Sequence, residues 1–533
     1  MPSLPWHFYL RPHRSAEVPA LARFILAAIS GALLSLSYRG AHPSIFSWFC
    51  LTLLLASIFG SRARVAFGCG FLHGMAFVVT CVSWIAETLS AHGGMSAAAG
   101  WGVLLLIAAV WAAAIGVFAW IVQRLSRRSI ALALLGAPFL WISTEVFRTY
   151  LPEISFAWSL LGYPAAGNPA VVQLTTITGV YGVSFLVAAF NALLLWGDFS
   201  KTPAERKKRW GILGAATLLM LAVMIAGSRL VPKAEGHHLA RVVQPNFPEN
   251  LQYVGDWYTE HKADLADLER LSLRPSSDGR QPDLLIWPEA PAPFSFQDPR
   301  FGPVITRIAQ EFHHPVVVGI IEWKPEPVKI NGIMRTGVAP YNSAAAINEL
   351  GQRIFSYDKM HLVPFGEYEP FPLIHQVVNS VSEEVGGFRK GTERSVGKFS
   401  NDTTFSVFIC YEAIYANEVR QFVNRGAQLL INISNDGWFG TSDAAEQHLR
   451  MVRVRAVENR RWIVRDTNSG ITASIDPYGN VERVMRRDVR DSADLHYDFR
   501  TDKTIYTRFG DWFAWMCVVV SVILFILTLR KVK

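Results

Sequence analysis

Glu289, Lys359 and Cys410 supply the carboxylate, amine and thiol that acyl transfer through a cysteine requires. Each of them closely follows a short apolar run with the β-branched and aromatic content of a buried strand. A thiol with a pKa of about 8.5 becomes a nucleophile when a base removes its proton or a cation stabilises the thiolate. Glu289 is the candidate base. Lys359 is the candidate cation for an oxyanion, together with a backbone N–H after the cysteine.

The strands that precede these residues are expected to bring them together. Open α/β sheets carry their chemistry at the carboxyl ends of strands. Taken alone, a cysteine is more often a small buried hydrophobe, and an isolated Glu or Lys is usually a surface residue. However, Cys410 is the one cysteine of five that lies in the polar part of the chain. Three strands that each place one reactive group at the same end of a sheet indicate an active site. A buried thiol and two unrelated surface residues would not need that arrangement.

The segment from Lys233 to Gly510 alternates short apolar strands with helices, which predicts an α/β layered domain. Its length of roughly 270–280 residues is enough for one large core. The predicted strands are Ala240–Gln244, Leu284–Trp287, Val316–Ile321, Ser343–Ile347, Arg353–Tyr357, Thr404–Cys410, Leu429–Ile433, Trp462–Arg465 and Ile471–Ile475. The predicted helices are Asp256–Leu271, Val304–Phe312, Tyr415–Arg425 and Ala444–Glu458.

Eight apolar runs outside this segment are predicted to be transmembrane helices. Most of them approach the roughly 20 residues that a helix needs to cross a bilayer, and the second is the shortest. They cover Ala20–Tyr38, Ile45–Phe59, Val65–Ala86, Ala97–Val122, Ile130–Phe147, Gly179–Trp196, Gly211–Val231 and Trp512–Leu529. Hydrophobic residues make up 51% of the chain, as a protein with this many spans requires.

The loop charges predict which side of the membrane each segment faces. Lys and Arg cluster before the first span, between alternate pairs of spans and after the last one, whereas the other loops contain few. The positive-inside rule then places both termini in the cytoplasm and the α/β segment outside it. The predicted domains are residues 1–232 with seven spans, 233–510 as a catalytic domain on the outer side and 511–533 with the eighth span. The net charge of +8 reflects these clusters and does not indicate a nucleic-acid partner.

The motifs around the three candidate residues resemble those of the nitrilase (carbon–nitrogen hydrolase) superfamily. These motifs are Trp287-Pro-Glu289, Tyr357-Asp-Lys359-Met-His-Leu-Val-Pro-Phe-Gly-Glu367 and Ile409-Cys410-Tyr-Glu412. With eight spans and the further motif Ser434-Asn-Asp-Gly-Trp-Phe-Gly440, the chain closely resembles the apolipoprotein N-acyltransferase family within that superfamily. The resemblance implies a membrane α-helical bundle joined to an α/β domain, the nitrilase-like αββα sandwich.

The resemblance also implies a role for each matching residue. Glu289 matches the general base, Lys359 the oxyanion-stabilising lysine and Cys410 the nucleophile of a Glu-Lys-Cys triad. The residues that match supporting or oxyanion positions are Glu367, Glu412, Tyr411 and Asn342. Those that match substrate-binding positions are Tyr253, where many members have a tryptophan, Trp438 and Trp158.

The activity that the resemblance implies is the last step of lipoprotein maturation in the bacterial inner membrane. A fatty acyl chain would pass from a phospholipid to a thioester on Cys410, and then to the α-amine of S-diacylglyceryl-cysteine of an apolipoprotein. The expected partners are therefore the phospholipid donor and the diacylated apolipoprotein acceptor. No metal, cofactor or nucleic acid is expected.

Two other functions would use some of the same features. A membrane-anchored nitrilase-type amidase would use the same three residues with water as the acceptor, but a simple anchor needs one span rather than eight. A transporter with a non-catalytic outer domain would not need the intact set of Glu289, Lys359 and Cys410. A transporter would also be expected to have ionisable residues within its spans, where this chain has few.

Three further patterns allow a functional interpretation. Ser434, Asp436 and His448 are the residue types of a serine hydrolase, although most chains contain them. The adjacent residues His237 and His238 point apart and indicate a linker rather than a metal site. The apolar residues of 367–387 favour a mobile lid over a lipid-sized cleft, against the alternative of an ordinary surface loop.

Overall fold

The computed structural model of the chain describes residues 18–40, 43–92, 95–200, 202–248, 257–276, 279–291, 295–330, 333–368, 387–483 and 485–530. Tyr253 and residues 369–386 of the predicted lid lie outside these ranges. The chain divides into two compact units. The helical unit comprises residues 1–87, 97–232 and 509–533, and the α/β unit comprises 88–96 and 233–508.

The helical unit consists of long apolar helices with short helical turns between them. The helices and turns up to residue 150 are Ala20–Leu36, Pro43–Trp48, Cys50–Ile58, Ala63–Cys81, Trp84–Ala91, Ala97–Ser126 and Ile130–Tyr150. Those that follow are Gly162–Ala165, Pro169–Val172, Thr175–Thr178, Val180–Asp198, Pro203–Ala222, Val223–Gly227, Ser228–Leu230 and Trp512–Leu529. The short turns Gly162–Ala165, Pro169–Val172 and Thr175–Thr178 lie between the predicted spans Ile130–Phe147 and Gly179–Trp196.

Six helices in the described part of the chain are long and apolar enough to cross a membrane. They match six of the eight predicted spans and are Ala63–Cys81, Ala97–Ser126, Ile130–Tyr150, Val180–Asp198, Pro203–Leu230 and Trp512–Leu529. The other two predicted spans correspond to the shorter apolar helices Ala20–Leu36 and Ser44–Ile58. The helical unit is therefore that of a multi-pass membrane protein, with two helices whose length alone does not establish a span.

Small residues and one buried arginine hold the first helices together. A Cβ atom on Gly31 would lie 2.2 Å from the carbonyl oxygen of His73, and one on Gly70 would lie 2.4 Å from that of Ile115. The glycines therefore let the helix backbones approach closely, as in other membrane bundles. The buried Arg23 donates hydrogen bonds to the carbonyl oxygens of Ser57 and Phe59, at 2.8 and 2.9 Å. These bonds satisfy carbonyl groups that the end of a helix leaves unpaired.

The α/β unit contains two six-stranded sheets within the described residues. The strands of the first sheet, in chain order, are β1 (His238–Gln244), β2 (Leu284–Ile286), β3 (Val316–Ile330), β4 (Ile333–Ile347), β5 (Arg353–Asp358) and β12 (Asp491–Tyr497). The strands of the second sheet are β6 (Gly397–Lys398), β7 (Thr404–Ile409), β8 (Leu429–Ser434), β9 (Ile463–Thr467), β10 (Ala473–Ile475) and β11 (Val481–Arg483). Their spatial orders are β12-β1-β2-β3-β4-β5 and β11-β10-β9-β8-β7-β6.

Each sheet has a parallel centre with antiparallel strands at its edges. In the first sheet β1, β2 and β3 run parallel, and in the second β7, β8 and β9 do. The helices between these strands are Lys262–Leu273 and Gly302–Phe312 in the first sheet, and Ala416–Asn424 and Ala444–Asn459 in the second. Parallel strands need such crossovers, which also bury the faces of the sheet. The remaining helical turns of this unit are Trp257–Glu260, Cys410–Ile414, Asp436–Phe439 and Ile505–Phe509.

The two sheets pack against each other, which gives the layers of the predicted nitrilase-like sandwich. Strand β1 contacts β9, and β4 contacts β7. The helices Lys262–Leu273 and Gly302–Phe312 bury Leu268, Ile305 and Ile308 in one apolar core with Val316 and Val318 of β3. The predicted sheets are thus confirmed, and the carboxyl ends of their central strands are available for a site.

Several element bounds differ from the predicted ones. Strands β3 and β4 form a hairpin of 15 residues each, about three times the predicted length of β4. The extension of β3 contains Pro325 and Pro327 among charged residues, which is the composition of a loop. The predicted helix 256–271 is interrupted at His261. The edge strands β6, β11 and β12 were not predicted, because such short or polar segments lack a clear alternation of apolar residues.

Candidate active site

The three candidate residues lie at strand ends of both sheets. Glu289 follows β2 and Lys359 follows β5 in the first sheet, whereas Cys410 follows β7 in the second. Their exposed fractions are 6%, 1% and 6%. The predicted convergence of a carboxylate, an amine and a thiol is therefore present, inside the α/β unit and largely shielded from water.

Lys359 is held between two carboxylates. Its Nζ atom lies 2.9 Å from Oε1 of Glu289 and 2.9 Å from Oε1 of Glu367. Asn342, on β4, donates from Nδ2 to the same two oxygen atoms at 2.6 Å each. The ammonium and the amide thus bridge one pair of oxygens, which fixes the positions of all four side chains.

The charges around Lys359 keep it protonated. Burial is the largest influence and would lower the pKa of the amine. The carboxylates of Glu289 and Glu367 outweigh it, so the pKa of Lys359 lies well above its ordinary value. A cation therefore remains next to the thiol at physiological pH, where it can stabilise negative charge.

Backbone amides fix the second oxygen of each carboxylate. The N–H of Asn435, which follows β8, donates to Oε2 of Glu289 at 2.8 Å. The N–H of Val363 donates to Oε2 of Glu367 at 2.7 Å. Neither carboxyl group can rotate without losing these bonds, so the candidate base has one fixed orientation.

Cys410 occupies a sharp turn between β7 and the helical turn Cys410–Ile414. Its φ of 47° lies in the left-handed region, which costs a residue with a Cβ atom about 1–2 kcal/mol. Such a strand-to-helix turn places the side chain at the carboxyl end of the strand. Strain of this kind persists where the surroundings determine the conformation.

The thiol of Cys410 is neutral in the resting site. Burial raises its pKa, and the negative charge of Glu289 raises it further, whereas Lys359 lowers it. The net direction is upward, so the thiolate is not the resting form. Chemistry at Cys410 therefore requires a base that takes its proton during the reaction.

Glu412 connects the turn of Cys410 with the segment that carries Lys359. Its Oε2 accepts from the N–H of Ile409 at 2.7 Å. Its Oε1 accepts from the Tyr357 hydroxyl and the Met360 N–H, both at 2.7 Å, and from the His361 N–H at 3.2 Å. Because Tyr357 belongs to the first sheet and Ile409 to the second, this buried carboxylate joins the ends of the two sheets.

The predicted aromatic residues have different locations. Tyr411 is buried, with its hydroxyl 3.3 Å from that of Tyr415. Trp438 is half-buried in the α/β unit, its ring centroid 5.1 Å from that of His92. Trp158 belongs to the helical unit and is buried in a stack with Phe156. The structure therefore brings Glu367, Glu412, Asn342 and Tyr411 to the three candidate residues, whereas Trp158 lies in the helical unit.

A buried polar cluster behind Cys410 was not assigned to the site from the sequence. Asp436, His448 and Arg465 have no exposed surface. Oδ1 of Asp436 lies 3.0 Å from Nδ1 of His448, and its Oδ2 lies 2.6 Å from Nη2 of Arg465. The Ser434 hydroxyl donates to Oδ1 of Asp436 at 2.8 Å. We call these four residues the Asp436 cluster.

The Asp436 cluster does not have the arrangement of a serine hydrolase. Nε2 of His448 lies 3.0 Å from the carbonyl oxygen of Cys410 and must donate to it, because a carbonyl oxygen only accepts. The Ser434 hydroxyl donates to Asp436 and not to an imidazole nitrogen, so Ser434 is not paired with the base that a serine nucleophile needs. His448 lies in the sequence Gln447-His-Leu-Arg-Met451, and its contact with Cys410 depends on how β7 and the helix Ala444–Asn459 pack.

The adjacent histidines contact different carboxylates. Nδ1 of His237 lies 2.6 Å from Asp498, and Nδ1 of His238 lies 3.2 Å from Asp283. Among the described residues no group of three or more His, Cys, Asp or Glu side chains has a geometry that could hold a metal ion.

Comparisons with known proteins relate the whole chain to one group of enzymes. Residues 30–193 match the model of the apolipoprotein N-acyltransferase N-terminal domain, and residues 239–485 match that of the carbon-nitrogen hydrolase. A relative from Geobacter metallireducens, named apolipoprotein N-acyltransferase, is 32% identical over 97% of this chain and 98% of its own length. A relative of the same name from Vibrio vulnificus is 28% identical over 95% of this chain and 96% of its own. Among solved structures, an amidase from Nesterenkonia sp. is 18% identical over 52% of this chain and 94% of its own, with a TM-score of 0.35.

Proposed function

This chain belongs to the apolipoprotein N-acyltransferase family, and we propose that it transfers a fatty acyl chain from a phospholipid to the N-terminus of diacylated apolipoproteins. The relatives that match it over nearly its whole length carry the name of this activity. The observation that carries the chemistry is the buried contact of Lys359 with Glu289 beside the turn of Cys410. The enzyme is an acyltransferase of the carbon–nitrogen hydrolase superfamily.

The first half-reaction loads the acyl chain onto the cysteine. Glu289 accepts the proton of the Cys410 thiol as the sulfur attacks the ester carbonyl carbon of the phospholipid. Lys359 and the backbone N–H of Tyr411 stabilise the oxyanion of the tetrahedral intermediate. The ester C–O bond breaks, Glu289 returns the proton to the leaving alkoxide, and a lysophospholipid leaves behind a thioester.

The second half-reaction unloads the acyl chain onto an amine. The α-amine of S-diacylglyceryl-cysteine attacks the thioester carbonyl carbon, and Glu289 takes the amine proton as the C–S bond breaks. The proton then returns to the thiolate of Cys410. Asn342 donates to both Glu289 and Glu367, and Glu367 also accepts from the ammonium of Lys359. These contacts hold Glu289 and Lys359 in position through both steps.

The proposed placement is a bacterial inner membrane with eight spans. Residues 1–232 would form a membrane domain with seven helices, 233–510 a periplasmic catalytic domain and 511–533 the last span. The one-sided distribution of Lys and Arg supports this orientation. A helix can span with fewer than 20 residues where the bilayer thins, so the shorter apolar helices Ala20–Leu36 and Ser44–Ile58 are compatible with spans.

Cysteine labelling tests the proposed orientation. All five native cysteines are buried, so the background reaction with an impermeant maleimide should be low. A cysteine at Leu350, which is 66% exposed in the α/β unit, should react in intact spheroplasts. Cysteines at Arg127 and Lys207, in the basic clusters between spans, should react only after the membrane is opened. Labelling of the Lys207 position in intact spheroplasts would contradict the orientation.

Acylation of a short peptide tests the proposed function. Purified enzyme with phospholipid should add one acyl chain to a peptide that begins with S-diacylglyceryl-cysteine, which mass spectrometry detects. The same peptide with an acetylated α-amine is the matched control and should stay unmodified, because it lacks the attacking lone pair. Steady release of free fatty acid without any amine acceptor would instead indicate a hydrolase of amidase type.

A further inference from the structure

The Asp436 cluster lies directly behind the nucleophile, and the mechanism above gives it no part. It contacts Cys410 through His448, whose Nε2 lies 3.0 Å from the carbonyl oxygen. We propose that the Asp436 cluster is a positioning device, which orients the turn of Cys410 and the oxyanion-binding N–H of Tyr411 for acyl transfer. This inference rests on the proposed function and adds positioning residues to it.

The contact at the carbonyl oxygen determines the direction of the neighbouring N–H group. The carbonyl of Cys410 and the N–H of Tyr411 belong to one planar trans peptide group, so they point in opposite directions. When Nε2 of His448 holds the carbonyl oxygen at 3.0 Å, it therefore also aims the N–H of Tyr411. That N–H is the donor expected to face the oxyanion.

The turn itself needs such a contact. The positive φ of Cys410 is unfavourable for a residue with a side chain, so neighbouring groups must hold it in place. His448 lies on the helix Ala444–Asn459, and its Nδ1 lies 3.2 Å from Nη2 of Arg465, which can donate to it. Arg465 of β9 in turn holds Asp436 and also donates to the side-chain oxygen of Asn432 on β8.

Ser434 completes the support of Asp436. Its hydroxyl donates to Oδ1 of Asp436 at 2.8 Å, and Arg465 donates to Oδ2 at 2.6 Å. The carboxylate beside His448 is therefore held at both of its oxygen atoms.

The charge state of the cluster is consistent with a fixed scaffold. Burial would raise the pKa of Asp436, but Arg465 and His448 outweigh burial and hold the pKa below its usual range. Asp436 is therefore an anion that accepts from the Ser434 hydroxyl and the Arg465 guanidinium. A fully buried arrangement of this kind is costly to assemble, which favours a role in specifying geometry over a role in general stability.

Burst kinetics on two His448 variants test the proposal. His448→Leu removes both ring nitrogens, whereas His448→Gln keeps an N–H donor for the carbonyl oxygen of Cys410. With phospholipid alone, the burst amplitude counts folded active sites, and the burst rate constant reports acylation at each site. We expect His448→Leu to lower the rate constant about tenfold to a hundredfold, as a small misplacement of reacting groups does. His448→Gln should recover most of it, and the phospholipid concentration for half-maximal rate should stay unchanged in both.

Glu458→Gln is the matched control from the same helix. Glu458 is equally buried and pairs with Arg455 at 2.8 Å. This variant should lower stability, and with it the burst amplitude, but leave the rate constant at its wild-type value. A wild-type rate constant in His448→Leu, or an equal loss in Glu458→Gln, would overturn the positioning role and leave the acyltransferase assignment intact. A wild-type enzyme that shows no burst would overturn the proposed function itself.

Discussion

Replacing Cys410 with alanine is expected to abolish both lysophospholipid release and formation of an acyl-enzyme. With phospholipid alone, the wild-type enzyme should release about one lysophospholipid per site and then stop, because the thioester waits for an amine. Its mass should rise by one acyl chain, and neutral hydroxylamine should remove that chain. Intact-protein mass spectrometry and quantitation of the released lipid measure these results.

A second buried cysteine provides the control for this variant. Cys517 is fully buried in the helix Trp512–Leu529, so Cys517→Ala removes an equally shielded thiol from the other unit. It should give the wild-type burst and mass shift. An acyl adduct on the Cys410→Ala protein that hydroxylamine removes would assign the thioester to a different residue.

Replacing Lys359 with methionine is expected to lower the acylation rate roughly a hundredfold to a thousandfold, the usual cost of losing one oxyanion contact. The structure adds a loss of stability, because Glu289 and Glu367 would face each other without the shared cation. Removing one partner of a buried ion pair typically costs roughly 3–5 kcal/mol. Burst rate constants and thermal unfolding in detergent measure the two effects separately.

A double variant separates catalysis from folding at Lys359. Lys359→Met combined with Glu367→Gln removes one of the two facing negative charges, so the melting temperature should rise above that of Lys359→Met. The acylation rate should stay low, because the oxyanion still lacks its cation. Recovery of the rate together with stability would show that Lys359 acts only in folding the site.

Much of the arrangement at the strand ends could be predicted from local sequence. The runs before Glu289, Lys359 and Cys410 are short and rich in apolar, β-branched or aromatic residues, and such runs form strands wherever they are buried. A carboxylate, an amine and a thiol at these strand ends can together carry out acyl transfer. This combination indicates a site and not three unrelated surface residues. Local pattern and chemistry therefore gave the same answer for these three positions.

The residues that the sequence analysis missed depend on contacts between distant segments. His448 reaches Cys410 only because β7 lies beside β8 and the helix Ala444–Asn459 follows β8. Strand β12 pairs with β1 across nearly the length of the α/β unit, and four of its seven residues are polar. Strand pairing of this kind is determined by tertiary packing, which periodicity in a single sequence does not report.

The division of the site between two sheets has a consequence for how the enzyme acquires its activity. The bond from the Asn435 N–H to Glu289 joins residues 146 positions apart, and the bond from Tyr357 to Glu412 joins residues 55 apart. Closing such long loops is slow, so contacts of this kind form late in folding. In a partly folded chain Cys410 lacks its base, because Glu289 belongs to the other sheet. Such a chain is therefore not expected to accept an acyl chain before the two sheets pack together. The time at which the lysophospholipid burst first appears during refolding therefore measures when the two sheets dock.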